Sequence, residues 1–283
     1  MDYELTLFDR LEVIKATNQK YDLEHNAYIS FSGGKDSTIL HYLIDMALPN
    51  NNIPRVFADT GIEYQAIRDF VYDLAKKDPR FVILKPSQPI KPMLERIGYP
   101  FKSKEFSKVV NTYQINTDEL DKYVNMPTEE VQKFMLEHKD IEKSLLGKGL
   151  FAIYFVHGLR VVRDSEGYIQ SYKTVSKFNC PKSLRYLFTR DFDIKISHNC
   201  CMKLKKEPFK KFSHESGRPI AMTGMRREEG GQRENIKGCV LTDTKGNVTK
   251  FHPLLVVDDA WEDEFVERES SIMQIIFRTV QLS

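Results

Sequence analysis

Apolar side chains at Leu5, Leu7, Phe8, Leu11, Val13 and Ile14 recur at helical spacing, which predicts an amphipathic helix over about residues 4–20. Ala27-Tyr28-Ile29-Ser30-Phe31 is a short β-type run that leads directly into Ser32-Gly33-Gly34-Lys35-Asp36-Ser37. Beyond it, Ile39, Leu40, Leu43, Ile44 and Met46 mark the buried face of a helix over residues 37–47, which Pro49-Asn50-Asn51-Asn52 ends. Residues 54–58 predict a second strand, 64–76 a second helix and 81–84 a third strand. Strands that alternate with helices imply an α/β fold with a doubly wound, mainly parallel sheet. In such sheets ligands lie at the carboxyl ends of the strands, where both Ser32–Ser37 and Asp59-Thr60-Gly61 fall.

The pattern changes after residue 86. Lys, Glu, Asn and Tyr dominate as far as about 190, with helical spacing around 128–143, and this stretch reads as a mainly helical insertion. Its most apolar run, Leu150 to Val156, reads as a buried strand, because it is far shorter than the roughly 20 residues of a membrane span. Pro219-Ile220-Ala221-Met222-Thr223 returns to the sheet and ends in Gly224-Met225-Arg226-Arg227.

Composition adds limits. A length of 283 residues with 41% hydrophobic and 29% charged side chains fits a globular chain with a sizeable core. A net charge of +2 argues for neither nucleic acid nor a membrane as a partner. Met1-Asp2-Tyr3-Glu4 is acidic and lacks the apolar core of a signal peptide, so a cytoplasmic location with no membrane association is expected. In that reducing compartment a structural disulfide is not expected among Cys180, Cys200, Cys201 and Cys239.

The glycine segment carries the clearest chemistry. Gly33 and Gly34 have no Cβ, so backbone can approach a phosphate closely. The segment opens a helix, whose first N–H groups and dipole favour anions. Ser32 and Ser37 offer hydroxyl donors, Lys35 a mobile positive charge, and Asp36 a carboxylate to orient the loop or to hold magnesium beside pyrophosphate. The spacing is neither that of the P-loop nor that of the dinucleotide fingerprint.

Ser-Gly-Gly-Lys-Asp-Ser resembles the PP-loop of the adenine nucleotide α-hydrolase superfamily. Three further segments resemble the phosphoadenosine phosphosulfate reductase family in its broad sense. They are Phe57-Ala58-Asp59-Thr60-Gly61-Ile62-Glu63, then Thr223-Gly224-Met225-Arg226-Arg227-Glu228-Glu229-Gly230-Gly231-Gln232-Arg233, and His252-Pro253-Leu254-Leu255 followed by Trp261. The resemblance spans about residues 20–265. It implies one nucleotide-binding domain over residues 1–265, with the helical insertion at about 102–190 and a short tail at 266–283. It also implies that Ser32, Gly33, Gly34, Lys35, Asp36 and Ser37 grip phosphates, with Asp59, Thr60, Gly61 and Gly224 beside the nucleotide. Arg226 and Arg233 would meet phosphate or sulfate through bidentate guanidinium contacts, and with Lys35 and Asp36 they form the expected catalytic set.

Two departures shape the expected reaction. Gly230 stands where the family usually has serine. Sulfonucleotide reductases attack sulfate with a cysteine in a C-terminal Glu-Cys-Gly-Leu-His tail, whereas this chain ends Arg278-Thr279-Val280-Gln281-Leu282-Ser283, with no cysteine after Cys239. The intact Lys35 favours ATP over adenylyl sulfate (APS) or its 3′-phosphorylated form (PAPS). The expected enzyme therefore splits ATP between the α and β phosphates with Mg2+, adenylates an acceptor and releases pyrophosphate. Sulfur transfer is a conceivable second step, with a sulfur-donor protein or thiol reductant as partner and a nucleic acid among the candidate acceptors. A sulfonucleotide reductase and a non-catalytic nucleotide-binding relative are the rival readings.

Asn199-Cys200-Cys201-Met202-Lys203 followed by Lys206-Glu207-Pro208 resembles the Cys-Cys element of iron–sulfur relatives. Cys180, Cys200, Cys201 and Cys239 are read either as ligands of a [4Fe–4S] cluster or as four ordinary thiols. Zinc ranks behind the cluster, because adjacent ligands are unusual for it. The basic run Lys203–Lys211 with Phe209 and Phe212 reads as a solvated amphipathic helix, ahead of a nucleic-acid surface. Glu228 and Glu229 are acid–base candidates, although adenylyl transfer needs mostly positioning and charge neutralisation.

Overall fold

The computed structural model describes residues 2–166, 169–174 and 179–269, so the tail expected at 266–283 lies outside the described residues beyond 269. The chain divides into two compact units. Met1–Ser87 and Met202–Ser283 make the first, and Gln88–Cys201 the second.

In the first unit, α1 (Tyr3–Tyr21) starts at Asp2, whose carboxylate accepts the Leu5 N–H, and it stops at Asp22 in a left-handed conformation. Its buried stripe is Tyr3, Thr6, Arg10, Ile14 and Thr17. The helix is where its apolar spacing predicts it, but that spacing does not give the buried face, since Leu5 and Phe8 are 68% and 63% exposed. After the single turn α2 (Leu23–Asn26) come β1 (Ala27–Ser30), α3 (Lys35–Ala47), β2 (Arg55–Ala58), α4 (Gln65–Lys77) and β3 (Phe81–Leu84). Strands and helices alternate as their hydrophobic pattern predicts.

The second unit is mainly helical, with α5 (Ile90–Ile97), α6 (Lys104–Ile115), α7 (Thr117–Val124), α8 (Thr128–Glu137), α9 (Lys139–Leu145) and α10 (Leu150–His157). An antiparallel hairpin of β4 (Leu159–Arg163) and β5 (Ile169–Thr174) follows, and then a 3-10 helix over Lys182–Phe188. Leu150–Val156, expected as a strand, is instead α10. A continuous apolar run has no periodicity to separate the two states, and here most of it, though not Phe151, is buried in a core with Phe106, Val110, Leu120, Val131 and Phe188. No described helix is long and apolar enough to cross a membrane.

The chain re-enters the first unit through a π-helical turn, Met202–Lys206, and α11 (Glu207–Ser216), followed by β6 (Ile220–Met222), β7 (Val240–Thr242), β8 (Val248–Phe251) and α12 (Asp259–Arg268). The sheet order is β3-β2-β1-β6-β8-β7, parallel throughout except for β7, which runs antiparallel at the edge. This is the expected α/β architecture. β1 lies between β2 and β6, with Ile29 opposite Arg55 on one side and Met222 on the other. Ile39, Leu40, Leu43 and Ile44 of α3 are fully buried beside Ile29 and Phe31. Each such burial contributes about 1.5–3 kcal/mol relative to exposure.

A charged cluster fixes the far end of α3. Arg55, fully buried in β2, donates to His41 Nδ1 at 3.0 Å and Asn51 Oδ1 at 2.8 Å, and pairs with Asp45 at 2.5 Å. Asp45 also receives Arg80 at 2.7 Å. A buried guanidinium is tolerable only when its donors are matched in this way. The result is a helix anchored at its C-terminal half, with its N-terminus fixed at the sheet's carboxyl edge.

Candidate functional site

The turn between β1 and α3 is built by its own side chains. Gly33 takes φ +77°, and a Cβ there would meet Ile67 Cγ2 at 2.7 Å, so both conformation and packing require glycine. Ser37, expected as a donor to ligand, is buried and braces the turn instead. Its hydroxyl donates to Gly34 O at 2.9 Å, accepts the Ser32 N–H at 3.2 Å and lies 3.0 Å from Ser32 Oγ. Ser32 Oγ also accepts the Gly34 N–H at 3.3 Å. Gly34 is the N-cap residue of α3, and no side chain caps the helix. Its first turn therefore presents backbone donors and a positive dipole end at the carboxyl edge of β1.

Gly224, just past β6, lies against this turn. A Cβ there would fall 2.6 Å from the Asp36 carbonyl oxygen, so only glycine lets the end of β6 approach the start of α3. Two residues on, Arg226 is buried, not solvated. Its Nη2 lies 2.7 Å from Asp259, its Nε 3.1 Å from Glu262 Oε1 and 3.8 Å from Asp36, and its Nη1 3.6 Å from Glu228. Lys35 reaches the same helix, with Nζ 3.1 Å from Asp263 and 3.3 Å from Glu262 Oε2. Lys35, Asp36, Gly224 and Arg226 are thus brought together around the loop.

Glu262 joins both cations, and sequence reasoning missed it. It is fully buried on α12, beside Trp261, whose indole donates to the Tyr3 carbonyl at 3.1 Å. Burial pushes its carboxyl up to about 7; Asp36 adds to that, and Arg226 and Lys35 oppose it. Burial also pulls the Lys35 ammonium down, but Asp263 and Glu262 more than offset this and leave it above its ordinary value. In the sequence Glu262 sits among Asp258, Asp259, Asp263 and Glu264, and charge alone does not separate it from them.

At the end of β2, Asp59 is buried and saturated. It accepts from Tyr72 Oη at 2.7 Å, Gly61 N at 3.1 Å and Arg68 Nη2 at 3.2 Å. Burial raises its pKa, but these donors hold the carboxyl below its usual range. Thr60 is buried and bonded to the Glu63 carboxylate through N–H and hydroxyl at 2.9 and 2.7 Å. Gly61 takes φ +82°. Asp59 and Thr60 therefore shape the turn. Between the two strand ends lies a small pocket of about 110 Å3, lined by Ser32, Phe57, Ala58, Glu63, Lys205 and Phe209, with Lys205 Nζ 3.5 Å from Glu63.

The remaining predicted residues lie elsewhere. Arg233 is exposed and pairs with Glu229 at 2.5 Å, and among the ion pairs of the described residues it makes none with the loop cluster. Glu229 also accepts the Arg226 N–H at 3.1 Å, and Glu228 accepts the first N–H of α12 from Asp259 at 2.7 Å, so both acids tie backbone together. Gly230, where the family pattern has serine, takes φ +77°. The cysteines are divided between the two units. Cys239 packs on the first unit's core and its sulfur lies 3.7 Å from Arg10. Cys180 is buried in the second unit's core, where burial pushes its thiol up while Arg185 and Lys102 pull the other way. Cys200 and Cys201 line a cavity of about 430 Å3 in the second unit with His198, Ser103 and Lys104. Among the described residues no group of three or more His, Cys, Asp or Glu is arranged to hold a metal ion.

A curated but uncharacterized protein of Methanocaldococcus jannaschii is 34% identical over 100 residues, or 35% of this chain. The chain matches only 24% of that relative's length. The crystal structure of phosphoadenylyl-sulfate reductase from Candida auris, in a phosphate complex, aligns over 91% of this chain and 79% of that one, at 15% identity and a TM-score of 0.41. The model of the phosphoadenosine phosphosulfate reductase domain matches residues 26–128 and 168–270, which include the glycine loop, the Asp59 turn, Arg226 and Trp261. Most of the chain is covered by that match, and the protein belongs to the phosphoadenosine phosphosulfate reductase domain family.

Proposed function

We propose that the protein binds an adenine nucleotide, ATP in preference to APS or PAPS, and cleaves it at the α-phosphate. The observation that carries this reading is the uncapped N-terminus of α3 at the carboxyl edge of β1, with Lys35 and Arg226 held beside it. Free N–H groups there suit the phosphate chain. An acceptor nucleophile attacks the α-phosphorus and forms a new bond to it. The bridging P–O bond to the β-phosphate breaks, pyrophosphate leaves with the electron pair, and the acceptor's proton passes to solvent. Lys35 stabilises the charge that develops on pyrophosphate, and Arg226 fixes the geometry of its surroundings. Magnesium, when bound with the nucleotide, neutralises the phosphates, and the partly exposed Asp36 carboxylate offers it an oxygen ligand. An adenylated acceptor is activated for attack by sulfur, which is how a sulfur donor would enter.

The test is calorimetric titration of the purified protein with ATP·Mg and with adenylyl sulfate, paired with assays for pyrophosphate and for sulfite. Micromolar binding of ATP, lost at least tenfold in Lys35→Ala, is the expected result. Sulfite formed from adenylyl sulfate with a thiol would replace this reading with the reductase. Absence of saturable binding to either nucleotide in a folded sample would end it.

A further inference from the structure

Glu262 has an unusual position for a carboxylate. It is completely buried, yet neither of its oxygens makes a hydrogen bond among the described residues, and Nε and Nη1 of Arg226 beside it are likewise without one. Its contacts are contacts of charge: 3.3 Å to Lys35 Nζ on one oxygen and 3.1 Å to Arg226 Nε on the other. The groups that face it are Lys35 and Asp36 from α3, Arg226 from the segment after β6, and Asp259 and Asp263 on its own helix. Glu228 meets Arg226 from outside, and α1 contributes Glu4, which pairs with Arg268 at the other end of α12. Asp259 and Asp263 are largely exposed, so their pull on the two cations is screened. Glu262 is not screened. Its two oxygens meet both cations, one Lys35 and the other Arg226, while Asp263 and Asp259 each meet one.

We propose that Glu262 is a positioning residue, the internal counter-ion that gathers Lys35 and Arg226 against the loop before an anion arrives and that the phosphate chain displaces from Lys35. The proposal rests on the nucleotide reading above. A phosphate at the N-terminus of α3 needs Lys35, and Lys35 cannot serve Glu262 and the phosphate at full strength together. The carboxylate therefore orders the site and also competes with its ligand. Arg226 stays behind with Glu262 and Asp259 and keeps the buried charge matched.

The sign of this competition makes it testable. Glu262→Gln keeps the shape and removes the rival charge, so ATP·Mg should bind five- to tenfold more tightly by calorimetry. Glu262→Asp restores the charge and should bring the dissociation constant back to within about twofold of the native value. A residue that only helps α12 to fold would give the opposite result, weaker binding in both variants. Unchanged or weaker ATP binding by a folded Glu262→Gln protein overturns the proposal. If that variant does not fold, a crystal structure of the native protein with ATP decides instead. Lys35 Nζ should then lie on a phosphate oxygen and beyond hydrogen-bond reach of Glu262, and a Lys35 still paired with Glu262 in the occupied site refutes displacement. Failure of the native protein to bind ATP would be a different outcome, because it removes the nucleotide reading itself and the counter-ion role with it.

Discussion

Gly224→Ala tests whether the first turn of α3 is the anion site. The new Cβ would lie 2.6 Å from the oxygen and 2.7 Å from the carbon of the Asp36 carbonyl, and 3.0 Å from Asp36 Cβ. Carbon atoms settle at about 3.5 Å or more, so the end of β6 and the start of α3 must part by about 0.8 Å. The obstacle is main chain and cannot swing aside. The other half of α3 cannot give either, because Asp45 ties it to Arg55 and Arg80. Overpacking of this kind costs about 1–3 kcal/mol of stability. The larger effect falls on the ligand. Loss of one or two charge-assisted bonds to phosphate, about 1.5–3 kcal/mol each, weakens binding at least tenfold. Urea unfolding gives the first quantity and calorimetry with ATP·Mg the second. Gly238→Ala serves as the control, since a Cβ there meets nothing within 4 Å. A Gly224→Ala protein that binds ATP as well as the control would refute the assignment of the site to the α3 N-terminus.

Other consequences can be checked independently. Ser37→Ala removes the hydroxyl that links Gly34 O, Ser32 N and Ser32 Oγ, and should cost about 1–3 kcal/mol in urea unfolding together with nucleotide affinity. Because the folded protein raises the Glu262 carboxyl to about 7, that group favours the folded state most below its ordinary value of 4.5. Its contribution is lost as pH rises through about 7, so the stability of the native protein relative to Glu262→Gln, measured as unfolding midpoints, should decline across that interval; His41, which burial pulls down to about 4, acts in the opposite sense in both proteins and drops out of the difference. Brief treatment of the native protein with iodoacetamide, read by peptide mass spectrometry, should label exposed Cys201 first and buried Cys180 last. Early labelling of Cys180 would contradict its place in the core.

The hydrophobic pattern located the alternation of strands and helices around β1 to β3, because half-buried helices and fully buried parallel strands leave different periodicities. The same reasoning could not place Leu150–Val156, a run without polar punctuation, nor the buried stripe of α1, where Thr6, Arg10 and Thr17 turn inward while Leu5 and Phe8 face out. Around the site, the loop, Gly224 and Arg226 were legible as short motifs. Their roles were less so. Ser37 reads as a ligand donor in sequence and acts as a brace in the fold, and Asp59 spends its carboxylate on Tyr72, Arg68 and Gly61. Glu262 was invisible, because its meaning comes from burial against Arg226 and against Lys35, more than two hundred positions earlier, and charge within one acidic helix carries no sign of that.

The sheet's connectivity also bears on how the protein is made. β1 and its neighbour β6 are separated by roughly 190 residues of chain, with the whole second unit made between them. At about 5–20 residues per second, a ribosome needs on the order of ten to forty seconds to supply the missing strand. Throughout that interval one edge of the central strand is unpaired, and an open edge is a template for association with other chains. The second unit, by contrast, is contiguous and can condense as soon as it emerges. Yield in a heterologous host should therefore depend on chaperone supply and growth temperature more steeply than the finished fold's packing would indicate.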